Sequence, residues 1–266
     1  MFDLSGRVAV VTGALGRLGP VWCRALSDAG ARVHATDLAG AVRSEAFDAL
    51  ARDCPERVWF GPADVLDRGS LERALSACEE RFGPPDILVN NAGIDQPPEA
   101  GAARHRIEDI PDHVWQRVLG VNVVGAFQAC QVFGGAMCRH RRGSIINIGS
   151  LYASVSPDAR LYEHLRGDPP FVKPPAYGAS KAALVNLTRY LATHWAQAGV
   201  RVNALSPGGV LGEQDDQFRA KFTSRVPLGR MAEAHDLGGP LVFLASDAAS
   251  YVTGIELRVD GGYTAW

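Results

Sequence analysis

The chain has 266 residues, 47% of them hydrophobic and 21% charged, enough apolar material for a substantial core in one large domain or two small ones. Its 27 Lys and Arg against 29 Asp and Glu leave a formal charge of −2, spread too evenly for the basic footprint that a phosphate backbone requires, which excludes nucleic acid as a main partner. No run approaches the roughly 18 to 20 apolar residues of a membrane helix and the N-terminus lacks a signal-peptide pattern, so a cytoplasmic protein without a membrane partner is expected.

In chain order, a predicted strand at 8–11 runs into the glycine-rich turn Thr12-Gly13-Ala14-Leu15-Gly16-Arg17-Leu18-Gly19 and a helix over 20–29, with a proline tolerated in its first turn and Gly30 behind it. This context lets backbone amides and a helix N-terminus approach a pyrophosphate, although glycines in a tight turn are the plainer explanation. A second strand, 32–36, ends beside Asp37, 18 residues past Gly19, where a carboxylate accepts hydrogen bonds from an adenosine ribose. A third strand, 58–60, precedes Asp64-Val65, and Ser70 is expected to cap a helix over 71–82 that Gly83-Pro84-Pro85 stops. The fourth strand, 87–89, leads to Asn90-Asn91-Ala92-Gly93 and a long loop, 94–110.

The helical stretch 114–137 holds Asn122 and is apolar over more than one face. After the strand 144–148 come Gly149-Ser150 and then 26 residues, 151–176, carrying five prolines. A helix continues from Tyr177 through 192, and strands at 201–205 and 256–259 precede Ser206-Pro207-Gly208-Gly209-Val210 and Asp260-Gly261-Gly262. Alternating strands and helices over 1–266 imply one doubly wound, Rossmann-type parallel sheet with helices on both faces. The loops 94–110 and 151–176 then fall on its carboxyl edge as substrate insertions. Cys23, Cys54, Cys78, Cys130 and Cys138 form an odd set without metal-ligand spacing and read as buried, reduced thiols.

Tyr177 and Lys181 stand at i and i+4, so they share a helix face, and a nearby ammonium lowers a tyrosine pKa toward neutrality. Taken alone, the pair equally describes a surface Tyr and Lys one turn apart. Ser150 ends a strand where its hydroxyl can bond a substrate oxygen that gains or loses charge, and no nucleophile elbow surrounds it.

Thr12-Gly13, Asp64, Asn90-Asn91-Ala92-Gly93, Asn122, Ser150, Tyr177-x-x-x-Lys181 and Pro207-Gly208, in this order and over this length, resemble the short-chain dehydrogenase/reductase family in its compact branch. One departure is the glycine spacing: Arg17 stands where that branch usually has glycine, with Gly16 before it, a spacing more typical of the longer, epimerase-like branch. The resemblance implies NAD or NADP held by Gly13, Gly16, Arg17, Leu18, Gly19, Asp37, Asp64, Val65, Asn91, Ala92, Gly93, Tyr177, Lys181, Pro207, Gly208 and Val210. It also implies proton transfer by Tyr177, ribose binding and pKa lowering by Lys181, and substrate orientation by Ser150. For Asn122 it implies the positioning of a relay water, a helix-interior amide bonded to backbone being the alternative. Asp37 would repel a ribose 2′-phosphate whereas Arg17 would attract one, and the ribose-facing position of Asp37 favours NAD.

Tyr152, Arg160, Tyr162 and Lys173 are candidate substrate residues for a sugar, sugar acid or polyol, with a mixed-charge solvated surface as the alternative. The expected activity is hydride transfer between a nicotinamide and a secondary alcohol or ketone. A 3-oxoacyl thioester reductase, an epimerase and a catalytically idle dinucleotide-binding sensor or scaffold are the competing functions. The resemblance and the broad apolar faces of two helices point to a homotetramer.

Overall fold

The computed structural model describes residues 1–95 and 104–266. All seven expected strands are present, β1 (Val8–Thr12), β2 (Arg32–Asp37), β3 (Val58–Pro62), β4 (Ile87–Asn90), β5 (Gly143–Ile148), β6 (Val200–Pro207) and β7 (Glu256–Val259). They pair in parallel as one sheet in the order β3-β2-β1-β4-β5-β6-β7. The order reverses between β1 and β4, which opens a crevice beyond their carboxyl ends.

The pleat assigns each apolar strand residue to one of two cores. Ala9, Val11, Val89 and Ile148 pack beneath α1 (Gly19–Asp28), α2 (Glu45–Asp53) and α7 (Ala234–Ala245), where Trp22, Leu50 and Leu241 fill the layer. Val10, Leu88, Ile145 and Val202 pack beneath α3 (Arg68–Phe82), α4 (Asp112–His140) and α5 (Pro175–Trp195), with Leu71, Phe133 and Leu191. The central strands β1 and β4 therefore read as near-continuous apolar runs, buried at every position, as expected for a sheet covered on both sides.

Three details differ from expectation. The third helix starts at Arg68 after Asp67; Ser70 lies inside its first turn, where its hydroxyl accepts from the Asp64 amide 3.1 Å away and so anchors the end of β3 to the helix. Helix α4 spans 29 residues with a window of mean hydropathy 1.4, long and apolar enough to cross a membrane by length and composition, whereas the sequence reading found no such run. Half of that window is buried inside the protein, and its Val132, Phe133 and Met137 belong to the core under the sheet. Cys23, Cys78 and Cys130 are buried as expected, but Cys54 and Cys138 are only partly covered. Burial pushes the Cys78 and Cys130 thiols up to about 12.

The proline-rich insertion is built rather than open. It forms short 3₁₀ turns at Leu151–Ala153 and Ala159–Tyr162, and its last residues already belong to α5, which begins at Pro175. Leu151, Leu161 and Tyr162 form a third cluster with Phe222 of α6 (Asp216–Thr223), Met231 and Tyr263, clasping the insertion to the C-terminal part of the chain. Of the other insertion, 96–103 lie outside the described residues, and Ile107–Asp109 forms a 3₁₀ turn.

Candidate active site

At the switch point the glycine turn is locked from below. The Thr12 hydroxyl accepts from the amides of Asn91 and Ala92 at 3.2 and 3.1 Å. Asn91 donates through Nδ2 to the Thr12 and Gly13 carbonyls and accepts from the Trp22 indole at 2.8 Å. Its side chain thus acts on the turn rather than projecting into the crevice. Gly13 has φ +63°, and a Cβ there would lie 2.6 Å from the Ala92 Cα; a Cβ on Gly19 would strike the Ala14 carbonyl. The turn tolerates side chains at neither position, whereas Gly16 would meet only the Gly13 carbonyl at 3.4 Å. The two demanding glycines are thus the pair shared by both spacings, and the departure at 16 and 17 leaves the cradle intact.

Asp37 ends β2 with its carboxylate held by two amides, Leu15 N–H to Oδ2 at 2.9 Å and Leu38 N–H to Oδ1 at 2.8 Å. Each oxygen retains a lone pair for a ribose hydroxyl. Leu38 and Leu66, following adjacent strands, are about half exposed; they offer apolar surface for an adenine ring, a feature the sequence reading missed. Arg17 does not turn toward the ribose end, as its attraction for a 2′-phosphate would have it. It donates to the Val210 carbonyl at 2.7 Å, on the β6 side of the turn and away from β2, and so ties the glycine turn to the loop after Pro207-Gly208. Gly208 is needed there because a Cβ would sit 2.7 Å from the Asp260 Cα. Asp64 caps its own turn by accepting from Leu66 N–H at 2.9 Å, next to buried Val65. The geometry of these groups fits a dinucleotide: glycines where a backbone must approach, a helix N-terminus behind them and a carboxylate at the end of β2 with acceptor capacity for ribose hydroxyls.

At the reacting end, β5 delivers Ser150 and α5 delivers Tyr177 and Lys181. Ser150 is nearly buried and hydrogen-bonds the Tyr177 phenol. Lys181, 5% exposed, donates to the Ile148 carbonyl at 2.7 Å, with its Nζ 5.6 Å from the Tyr177 ring centroid. Asn122 sits in a π-helical turn of α4, Gly120–Gly125, of the kind that recurs at functional sites. Its Oδ1 accepts from Ile94 N–H at 2.8 Å, and its Nδ2 donates to Ile94 O and the Ser180 hydroxyl, both at 3.0 Å. Ser180 in turn donates to the Tyr177 carbonyl at 2.7 Å. The amide side chain therefore bonds not to neighbouring backbone, as the alternative for Asn122 had it, but to the backbone of a distant loop at Ile94 and to the Ser180 hydroxyl on the tyrosine helix.

Electrostatics correct one expectation. In the chain without cofactor the Tyr177 phenol is pushed up, not down: loss of water around it dominates, the Asp95 carboxylate adds to this, and the Ser150 hydrogen bond opposes. Lys181 is pulled down to about 8 by burial, against an opposing pull from Asp95. Desolvation outweighs a lysine placed over the ring face rather than at the phenol oxygen.

Of the candidate substrate residues, Lys173 alone comes to the tyrosine as a charged group. Its Nζ lies 5.4 Å from the Tyr177 ring centroid and 5.8 Å from that of Tyr152, and it donates to both oxygens of Asp95 at 2.9 and 2.7 Å. Tyr152 hydrogen-bonds Tyr162. Tyr162 itself is 6% exposed and packed against Phe171 and Phe218, so it buttresses the insertion instead of reading a ligand. Arg160 turns its largely exposed guanidinium to Asp158. Asp95 was missed in the sequence, although two residues past Gly93 on the carboxyl edge is a position from which a side chain can reach the crevice.

Parallel strands reversing order at a glycine turn make this an α/β dinucleotide-binding protein, and residues 13–264 match a family model described as enoyl-(acyl carrier protein) reductase. The chain belongs to the short-chain dehydrogenase/reductase family, oxidoreductases that use a nicotinamide dinucleotide. It is 38% identical to galactitol 2-dehydrogenase (L-tagatose-forming) of Cereibacter sphaeroides, covering 100% of this chain and 98% of the relative. It is 36% identical to D-threitol dehydrogenase of Mycolicibacterium smegmatis, covering 99% and 95%. Among solved structures it resembles a gluconate 5-dehydrogenase from Burkholderia cenocepacia in complex with NADP and tartrate, with a TM-score of 0.84 and 30% identity over 100% of this chain and 98% of that one.

Proposed function

We propose that the protein is an NAD(H)-dependent dehydrogenase that interconverts a secondary alcohol of a sugar, sugar acid or polyol with the corresponding ketone, with Tyr177 as general acid/base. The observation that carries this reading is the convergence of the Ser150 hydroxyl, the Tyr177 phenol and the Lys181 ammonium, brought from two elements to one point beside the switch-point crevice. When bound, the dinucleotide supplies the hydride acceptor or donor. Ser150 Oγ holds the substrate oxygen, and Tyr177 takes the hydroxyl proton at its phenolate oxygen during oxidation or returns it during reduction. Burial pushes the phenol up in the cofactor-free chain, and Lys181, with a pKa of about 8, is mostly charged at neutral pH and so supplies positive charge beside it that favours the phenolate. Gly13, Gly19 and the start of α1 would hold the pyrophosphate, and Asp37 both ribose hydroxyls. Asn122 acts by tethering Ile94 and Ser180, which keeps the loop after β4 in register with the tyrosine helix.

NAD is favoured over NADP because Asp37, fixed by two amides, sits where a 2′-phosphate would go, while Arg17 is committed to Val210. A thioester reductase fits less well, since an ion pair across the tyrosine opposes the passage of an apolar acyl chain. Assembly as a homotetramer is supported by large apolar side chains at the surface of α4 (Trp115, Val124, Phe127) and by Tyr190 on α5. The test of the central reading is Tyr177→Phe: turnover of sugars and polyols should fall by at least a thousandfold with NADH binding retained. Near-full activity would show that another group moves the proton.

A further inference from the structure

We infer that Arg17, a residue of the nucleotide end, is a positioning residue for the substrate: it fastens the loop after β6, and through that loop α6 and the proline-rich insertion, to the glycine turn. The effect on substrate rests on the dehydrogenase function proposed above; the fastening does not. In the sheet β6 stands three strands from β1, about 14 Å away at the usual strand spacing. Its loop nevertheless returns past the carboxyl ends of β5 and β4 to the turn after β1, where Val210 packs on the same core as Leu18. Backbone bonds tie Gly209 and Leu211 to Ala232, and Arg17 supplies the tie on the nucleotide side.

That tie is one side chain. Arg17 Nη2 donates to the Val210 carbonyl at 2.7 Å, and the guanidinium lies against Gly212 so closely that a Cβ there would come 2.6 Å from its Cζ; the three nearest atoms such a Cβ would meet all belong to Arg17. The guanidinium thus fills the place of the side chain missing at 212. From the other side the loop is braced to α6. Gln214 donates to the Val210 carbonyl at 2.9 Å and accepts from Gly212 N–H at 2.8 Å, and Arg219 of α6 donates to the Gly212 carbonyl at 2.6 Å. Helix α6 carries the constraint onward: the Phe218 ring lies 5.4 Å from that of Tyr162, and Asp215, which caps α6 by accepting from Phe218 N–H at 2.8 Å, has its carboxylate 2.9 Å from His164 Nε2 in the insertion. Tyr162 hydrogen-bonds Tyr152, two residues past Ser150. Contacts therefore run from the glycine turn to the wall of the reacting site. Arg17 itself is exposed, so its hold adds little to the stability of the whole fold; what it sets is the place of a loop, the part of a structure with least stability of its own.

The experiment uses Arg17→Met, which removes the donors, Gly212→Ala, whose methyl displaces the guanidinium while leaving Arg17 in the chain, and the double variant. Hydrogen exchange in the cofactor-free protein reads the fastening: amides of residues 211–222 should exchange at least fivefold faster in each single variant, with those of β1 and β4 unchanged. Steady-state kinetics with NAD and the sugar, sugar acid or polyol that the wild type oxidises best reads the consequence. KM for that compound should rise at least fivefold in each single variant while kcat falls less than twofold, and the double variant should be no worse than Arg17→Met, because the two substitutions break one contact. Unchanged exchange in the single variants, or a double variant in which the two KM effects multiply, overturns the inference. So does a KM that stays constant while the NADH dissociation constant, read by fluorescence, rises, since Arg17 would then serve the phosphates instead of the loop. Gly212→Ala decides the matter if Arg17→Met fails to fold. A wild type that binds NADH but oxidises none of these compounds overturns the proposed dehydrogenase function and the substrate role of Arg17 with it, while hydrogen exchange still decides the fastening.

Discussion

Replacing Lys181 by Met should make the cofactor-free protein more stable at neutral pH while weakening dinucleotide binding and abolishing turnover. The ammonium is 5% exposed, and burial lowers its pKa from 10.5 to about 8, a gap that corresponds to about 3 kcal/mol. At pH 7 the folded and unfolded chains both carry the proton, so the cost of burying the charge is present in full. Between pH 8 and 10.5 the unfolded chain binds more protons than the folded one, and stability rises with pH as this cost disappears. Loss of the 2.7 Å hydrogen bond to the Ile148 carbonyl takes back about 1 kcal/mol, leaving the Met variant about 2 kcal/mol more stable at pH 7. Urea unfolding of both proteins at pH 7 and pH 10, at one protein concentration, measures the effect as a double difference. The wild type should gain between about 2 and 3 kcal/mol relative to the variant over that interval. A difference that stays flat within about 0.5 kcal/mol, or a variant less stable at both pH values, would refute the claim that the site holds a costly buried charge.

Other outcomes follow from the same geometry. His34 is fully buried against Trp59, its ring nitrogens have no hydrogen-bond partner among the described residues, and desolvation lowers its pKa from 6.5 to about 4. The unfolded chain binds the extra proton in that window, so stability falls as pH drops below 6.5; denaturation at pH 7 and 5 should show a loss of about 2 kcal/mol that is absent in His34→Leu. Asp37→Ala should narrow the ratio of kcat/KM for NAD over NADP at least tenfold by removing the carboxylate from the ribose position, and an unchanged ratio would place cofactor choice elsewhere. Gly19→Ala should weaken NADH binding at least tenfold, read by fluorescence titration, because its Cβ meets the Ala14 carbonyl. Light scattering at micromolar concentration should give a tetramer mass, and Phe127→Glu on the surface of α4 should reduce it.

The seven strands, the two-sided cover and the placing of glycines at the first crossover were legible in the sequence. Each is a property of consecutive residues: apolar runs such as Val8–Thr12 are buried at every position, and a turn that must pass close to a neighbouring backbone has room only for Gly13 and Gly19. The shared helix face of Tyr177 and Lys181 was legible for a related reason, since the two are one helical turn apart and lie on one side whatever the helix packs against. What the sequence could not disclose is each contact whose partners are far apart in the chain. Arg17 ends on Val210, 193 positions away, rather than at the ribose end suggested by its charge. Tyr162 goes to an aromatic cluster with α6 and Lys173 to Asp95, two side chains of one insertion with opposite fates. Even the direction of the Tyr177 shift reversed, because proximity of an ammonium can be read from spacing whereas the loss of water around a phenol depends on everything packed about it. Periodicity and glycine placement are local and survive in one dimension; burial, charge compensation and the register of distant loops exist only once the sheet has brought its carboxyl edge together.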